Sequence, residues 1–359
     1  MSEIKQGYKQ TKVGIIPEDW EVVKLNEKSS IQRGRFSPRP RNDPQFYNGD
    51  YPFVQTNDVV NSKGKITTYS QTLNEKGLKV SKLFSQGTIL MTIAANIGFT
   101  GILTRDMTCP DSLVGIQCKK GLFNEFLNFY FIFNQKRIDY LAEEAALKNI
   151  NLSTLNSFHI PLPPLKEQEK IAEILTTWDE AITKQIELLE AKELQKKALM
   201  QKLLSGEVRF DGFSDKWEEV RLGEIAEIYQ PQTISQTELT DDGFDVYGAN
   251  GIIGKYHQYN HELEQIAVTC RGNTCGTVNF TKPKSWITGN AMVINLDNST
   301  KAIKTFIYYL FLNTNFTYLI SGSGQPQITG NIKNHKTKLP SLSEQQKIAE
   351  VLSLADDEI

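Results

Sequence analysis

Pro163-Pro164-Leu165-Lys166-Glu167-Gln168-Glu169-Lys170-Ile171-Ala172-Glu173 opens the longest helical pattern in the chain. The pattern runs without Gly or Pro to Leu203-Leu204 and stops at Ser205-Gly206, the chemistry of a helix start and stop. At 1.5 Å per residue, roughly 38 residues make a rod of about 57 Å. Leu175, Ile182, Leu189 and Leu203 fall on a heptad spacing, with Ile171, Trp178 and Leu199 on the adjoining row. This is a coiled-coil-like seam, interrupted by Gln185, Lys192 and Lys196. Glu167, Glu169 and Glu173 crowd the first turns and Lys196, Lys197 and Lys202 the last, as the helix dipole favours. Such a stripe needs a partner in water.

The chain restates this opening. Pro340-Ser341-Leu342-Ser343-Glu344-Gln345-Gln346-Lys347-Ile348-Ala349-Glu350-Val351-Leu352 repeats Pro163 to Leu175 at an offset of 177. Ser341 and Glu344 form a capping-box pattern there. Ahead of each rod, Trp20-Glu21-Val22-Val23-Lys24-Leu25 matches Trp217-Glu218-Glu219-Val220-Arg221-Leu222 at an offset of 197, and Thr92…Asn96 matches Thr269…Asn273 at 177 again. The organisation is therefore globule–rod twice, with 20 more residues in the first globule, between Glu27 and Thr92. The boundaries expected are a first globule at 1–162, a first rod at 163–206, a second globule at 207–339 and the start of a second rod at 340–359. The second rod reaches Ile359, which matches only Ile182, so it reads as truncated. Leu189, Leu194, Leu199 and Leu203 are then left for another chain, and self-association is expected.

A chain of 359 residues, 39% hydrophobic and 23% charged, has room for two globular domains with cores. No apolar run approaches the ~20 residues of a membrane span, and Met1-Ser2-Glu3-Ile4-Lys5-Gln6 lacks a signal-peptide core. Four cysteines without paired spacing fit a reducing compartment, so a cytoplasmic location is expected. A net charge of −2 argues against indiscriminate coating of nucleic acid, while local patches still permit a reader. The patch that stands out is Arg33-Gly34-Arg35-Phe36-Ser37-Pro38-Arg39-Pro40-Arg41. Taken alone it is a solvated loop; within a repeated architecture it points to phosphate and base contact.

In chain order, residues 1–19 read as a polar lead-in, and Trp20 to Ser30 as a short strand and a helical turn. Strands are expected at 53–56, 66–69, 88–93, 97–103 and 112–118. A helix is expected from Asn124 to Leu147 with Phe126, Phe129, Tyr130 and Phe133 as core, then a short helix at Leu152–Phe158. The second globule repeats the order, with strands at 246–248, 266–269 and 292–295. Its helix runs from Thr300 to Leu319 with Phe306, Tyr308, Tyr309 and Phe311 on one face, followed by an amide-rich loop at 321–329.

Catalytic chemistry has few candidates. Histidines are His159, His257, His261 and His335 alone. His257, His261, Cys270 and Cys275 make one conceivable metal set, but their spacing sits poorly with common zinc patterns and the first globule has no counterpart, so no metal is expected. Cys270 reads better as a small buried strand residue. Ser321-Gly322-Ser323-Gly324 lacks the Gly-Lys-Ser/Thr of a phosphate loop, and no dinucleotide or amino-methyltransferase motif occurs. No catalytic residue is assigned.

The doubled globule–rod order, with Pro-x-Leu-x-Glu-Gln-x-Lys-Ile-Ala-Glu opening each rod, resembles the specificity subunit of type I restriction–modification enzymes over essentially the whole chain. The resemblance implies an α+β fold: two repeated target recognition domains of mixed α/β structure separated by long antiparallel coiled-coil helices. Each domain would read one half of a split, asymmetric double-stranded DNA site. The subunit would be non-catalytic and would work with two methyltransferase subunits and two motor-nuclease subunits. S-adenosylmethionine, ATP and magnesium would belong to those partners, with no cofactor bound by this chain and no membrane involved. A structural coiled-coil adaptor for protein partners and a standalone two-domain transferase are the rival readings.

For base readout, amide and guanidinium side chains capable of bidentate contacts are favoured. These are Arg33, Arg35, Arg39, Arg41, Gln55 and Asn96 in the first globule. In the second they are Gln230, Gln232, Arg271, Asn273, Gln325 and Gln327. Lys63, Lys65, Lys282, Lys284, Lys333 and Lys336 are assigned to phosphates. Glu167, Gln168, Ile171, Leu175, Trp178, Ile182, Leu189, Leu199 and Leu203, with Glu344, Gln345, Ile348 and Leu352, are assigned to helix or subunit interfaces.

Overall fold

The helical pattern beginning at Pro163 becomes one helix of 41 residues, Leu165–Ser205, closed by Gly206 in the left-handed region at φ 74°. This is a computed structural model, and it describes residues 4–94, 96–143, 149–321 and 326–359. The chain divides into two compact units, Met1–Thr183 and Lys184–Ile359, so the boundary falls within that helix. Helices and strands coexist in both units, an α+β architecture.

In the first unit, Glu21–Lys24 pairs antiparallel with His159–Leu162, the strand leading into the long helix, with Val23 opposite Ile160. The central sheet has five strands in the order Ser29–Arg33, Leu113–Cys118, Ile89–Thr92, Thr100–Leu103 and Gly64–Ile66. The run Ile89-Leu90-Met91 is apolar throughout because the sheet is covered on both faces. Ile89 and Met91 enter the cluster under the helix Asn124–Phe133, with Phe126, Leu127 and Phe131, while Leu90 enters a second cluster with Val54, Val59 and Phe84. Complete burial of one such side chain contributes ~1.5–3 kcal/mol. A four-stranded sheet, Gln71–Leu73, Tyr47–Phe53, Met107–Thr108 and Leu83–Phe84, completes the unit.

The second unit repeats the scheme. Glu218–Arg221 pairs with Lys336–Leu339, and Val220 opposes Thr337. Those partners are Val23 and Ile160 displaced by the two sequence offsets, so the register itself is repeated. Its sheet runs Glu227–Tyr229, Ala291–Asn295, Ile266–Thr269, Val278–Phe280, the same order without the fifth strand. Ile266 and Val268 face the helix Lys304–Leu312 and its Phe306, whereas Ala267 faces Tyr247 and Ile287.

Each helix opening is seated by a buried glutamine. Gln168 accepts from Phe123 N at 2.8 Å and donates to Gly121 O at 3.0 Å and Pro163 O at 2.8 Å. Gln345 accepts from Ile303 N and donates to Lys301 O and Pro340 O, all at 2.9 Å. Phe123 and Ile303 are the cap residues of the two aromatic helices, so each amide ties a rod to the helix of its own globule. Both amides are therefore spent on a helix interface inside their own unit. The adjacent glutamates diverge: Glu167 accepts from the Trp20 indole at 3.0 Å, whereas buried Glu344 takes both Arg209 nitrogens, Nε at 2.8 Å and Nη2 at 2.7 Å. Ser341 still accepts from Glu344 N, but this carboxylate is engaged elsewhere, so the expected capping box is only half formed.

Along the long helix, Ile171 packs on the first unit's core, and Leu175, Trp178, Ile182 and Leu189 are exposed, Trp178 by 66%. Leu199 and Leu203 join the second unit's core with Ile348 and Leu352. There Lys192 pairs with Glu358 at 2.6 Å and Lys196 with Asp356, so this end of the helix lies antiparallel to Leu342–Asp357.

Several local expectations are corrected. The lead-in contains a hairpin, Tyr8–Thr11 with Gly14–Pro17. The strand before Gln55 ends at Phe53, because Gln55 caps a helix, Thr56–Val60, instead. The first aromatic helix stops at Phe133, and a second, Gln135–Glu143, follows Asn134. Phe133 is 88% exposed rather than core, and Phe131 is buried in its place. The expected end at Leu147 lies outside the described residues. The second aromatic helix spans Lys304–Leu312, not 300–319; Asn313, Thr314, Asn315 and Phe316 intervene before a short 3₁₀ turn, Thr317–Leu319.

Candidate nucleic-acid interface

In the first unit, Ser29–Arg33 and Ile89–Thr92 are each antiparallel to Leu113–Cys118 and therefore parallel to one another. Their C-terminal ends share one edge of the sheet with the residues preceding Leu113. The arginine loop leaves from this edge. Its anchor is Phe36, buried against Phe53, Tyr47 and Phe46 with ring centroids 5.0, 5.7 and 6.1 Å away. Arg33 Nε donates to Asp111 O at 2.6 Å, Arg35 Nη2 to Ser81 O at 2.9 Å, and Arg39 Nη1 to Pro38 O at 2.8 Å. Arg41 pairs with Asp111 Oδ1 at 2.6 Å. All four arginines are exposed, and among the described residues only Arg41 has a carboxylate partner. Carbonyl contacts orient guanidinium groups without cancelling their charge, which leaves a positive edge able to meet phosphates or guanine acceptors. Asn96 is near this edge with φ 47°, its carbonyl held by the Thr92 hydroxyl. Gln55 is set further along, its amide donating to Gln71 Oε1 at 3.0 Å.

The second unit places its candidates at the equivalent edge. Gln230 follows Glu227–Tyr229, and its amide reaches Cys270 Sγ at 2.9 Å. Arg271 lies just past Ile266–Thr269 and is bridged, backbone to backbone, with Gln327, while Gly272 N donates to Pro326 O at 3.0 Å. Gln230, Arg271, Asn273 and Gln327 are thus brought together, all exposed. Gln232 is nearby, its carbonyl accepting from the Trp286 indole at 3.3 Å. Gln325 lies outside the described residues.

The lysines are less well gathered. Lys63 precedes the outer strand of the first sheet and Lys65 is its central residue, both exposed. Lys282 pairs with Asp245 at 3.0 Å, Lys284 with Glu262 at 3.8 Å and Lys336 with Glu219 at 2.7 Å, so a phosphate would have to displace these carboxylates. The hydrogen bond from Lys282 holds the Asp245 carboxyl below the usual range. Lys333 packs beside Gly223, and Lys336 lies in the strand pair that leads to the second rod, both away from the edge that holds Gln230 and Arg271.

Burial pushes the Cys118 thiol up to about 12 and raises Cys109 as well, so neither is a thiolate near neutrality. His261 has both ring nitrogens engaged, Nε2 with the Tyr229 hydroxyl at 2.9 Å and Nδ1 with Asn260 Oδ1 at 2.6 Å. Among the described residues no three potential metal ligands lie together, and no helix is long and apolar enough to cross a membrane. Sequence reasoning missed Asp111, the acceptor beneath two arginines, for which no signal exists in one sequence. It also missed Arg209, the partner of Glu344.

Comparison with known proteins completes the picture. The sequence profile of the type I restriction modification DNA specificity domain matches residues 17–191 and 214–359. The MjaIX specificity subunit of Methanocaldococcus jannaschii is 30% identical over 65% of this chain and 57% of its own length. The putative MjaX specificity subunit of the same organism is 33% identical over 57% of this chain and 47% of its own length. This chain therefore spans about half the length of these two relatives. The EcoprrI specificity subunit of Escherichia coli is 23% identical over 94% of the chain and 87% of its own length. A crystal structure of a type I restriction-modification S subunit from M. genitalium shares the fold, with a TM-score of 0.63 at 18% identity over 95% of this chain and 90% of that one. Two matches of one profile, falling on two units with one strand order, establish that the chain belongs to the type I restriction modification DNA specificity family.

Proposed function

We propose that this chain is the non-catalytic DNA reader of a type I restriction–modification assembly. Each unit reads one half of a bipartite, asymmetric duplex site through the residues at its sheet edge. The observation that carries this reading is that both units present guanidinium and amide side chains at the same edge of equivalent sheets. The helices set the gap between half-sites: one added turn shifts a reader by about 5.4 Å, against a base-pair rise of about 3.4 Å. The exposed stripe of Leu175, Trp178, Ile182 and Leu189 supports docking of methyltransferase subunits or of a second copy. Two methyltransferase and two motor-nuclease subunits complete the assembly, and S-adenosylmethionine, ATP and magnesium act on those subunits. The assembly then methylates adenine or cuts DNA.

The test is to assemble the chain with a cognate modification subunit and map methyl-adenine across a genome. The expected result is one motif of two short specified parts separated by a fixed number of unspecified bases. A contiguous motif, or no methylation, contradicts the proposal.

A further inference from the structure

In the first unit, an open cleft of about 860 Å³ adjoins the arginine loop and shares Phe36 and Arg41 with it. Tyr47, Phe53 and Tyr69 line part of its wall, and Gln55 and Gln71 meet within it, Gln55 Nε2 donating to Gln71 Oε1 at 3.0 Å. Each glutamine carries one carbonyl oxygen and one amino group. A single bond between them uses the amino group of one and the oxygen of the other. The pair therefore always presents one free acceptor and one free donor, and flipping both amides leaves that set unchanged.

The pair is held in place. Asp58 accepts from Gln55 N at 2.7 Å and from Ser70 N and Oγ at 3.2 and 3.0 Å, clamping the backbone beside both glutamines. Gln71 is in register with Phe53, two residues before Gln55. The rim has the aromatic Tyr69, over whose ring the Arg105 guanidinium lies at 6.0 Å, and the cation of Arg41. A donor and an acceptor fixed side by side, with cations at the rim, match the amino donor and ring-nitrogen acceptor of adenine in the major groove. Both glutamines lie between Glu27 and Thr92, the stretch in which the first unit is 20 residues longer than the second.

We infer that Gln71, with Gln55, forms an adenine-selecting element at one position of the first unit's half-site. This rests on the reading of the chain as a bipartite DNA reader. Gln71 is the residue to change, because Gln55 is also the N-cap position of Thr56–Val60, where its backbone N is bonded to Asp58.

The assembled methyltransferase complex carrying Gln71→Ala or Gln71→Glu is used to map methyl-adenine genome-wide, beside the unchanged complex and one with residues 207–339 exchanged for those of a relative. Gln71→Ala is expected to lower discrimination for adenine by about tenfold to a hundredfold at one position of one half-site. Gln71→Glu, which turns the free donor into an acceptor, is expected to shift that position toward cytosine, whose amino group donates. An unchanged motif with both variants, or uniform loss of methylation with no altered preference, overturns the inference. If the 207–339 exchange also leaves both halves of the motif unchanged, the bipartite reading itself fails.

Discussion

The two helix seats and the two reading edges make opposite demands on sequence. At the seats, Gln168 and Gln345 make the same three bonds to equivalent backbone groups, and the flanking strands keep one register. At the edges, Arg33-Gly34-Arg35 stands where the second unit has Gln230-Pro231-Gln232. A buried amide inside a packed wall tolerates one arrangement, because any unpaired group there costs the full desolvation penalty. An exposed edge tolerates many, and its chemistry is free to follow a ligand. The difference teaches that the chain has one helix seat used twice and two exposed edges that diverge, the edges to which the proposal assigns DNA reading.

Breaking the common part has the largest expected effect. Gln345→Ala strips the partners of Ile303 N, Lys301 O and Pro340 O, and should destabilise the second unit by about 3 kcal/mol in denaturant titration. Gln168→Ala should cost the first unit the same within about 1 kcal/mol; a large gap between the two would break the equivalence of the seats. Glu167→Ala, which loses one bond to the Trp20 indole, should cost only about 1 kcal/mol.

A reading-edge variant acts on specificity and leaves stability alone. Arg271→Ala should relax one position of the second half-site by about 1–3 kcal/mol of discrimination, with an unchanged melting curve. Uniform loss of methylation at every sequence would assign Arg271 to structure. Lys65→Ala should act still more weakly, reducing the salt slope of DNA binding by about one without altering sequence preference.

Acid separates the units in another way. Burial lowers the pKa of His335 and of His261, where Asp297 opposes the shift only in part. The unfolded chain therefore binds more protons than the folded one as pH falls through the ordinary histidine range. The stability this contributes is complete above about pH 6.5 and declines below it. Hydrogen exchange should show protection in the second unit's sheet weakening between pH 7 and pH 5; protection that rises in that interval contradicts the assignment.

What was legible in the sequence divides along the same line. The strand and helix order was readable from period and punctuation: Ile266 to Val268 is apolar throughout because both faces of its sheet are covered, and Gly206 closes the long helix. The repeat offsets carried over into strand register, since register follows from which residues face the core. The helix break at Asn134 was hidden because no Gly or Pro marks it. The reading edge was legible as residue types and not as geometry. Nothing local marks Asp111 as the acceptor under Arg33 and Arg41, or Gln71 as the partner of Gln55, because these contacts join segments far apart in the chain.

The most direct test moves one edge and leaves both seats untouched. Residues 33–41 are replaced by the corresponding loop of a relative with a different target, and methyl-adenine is mapped in the assembled complex. Two independent readers predict that one half of the motif changes while the other half and the spacer length stay fixed. Change in both halves, or in neither, would contradict the account.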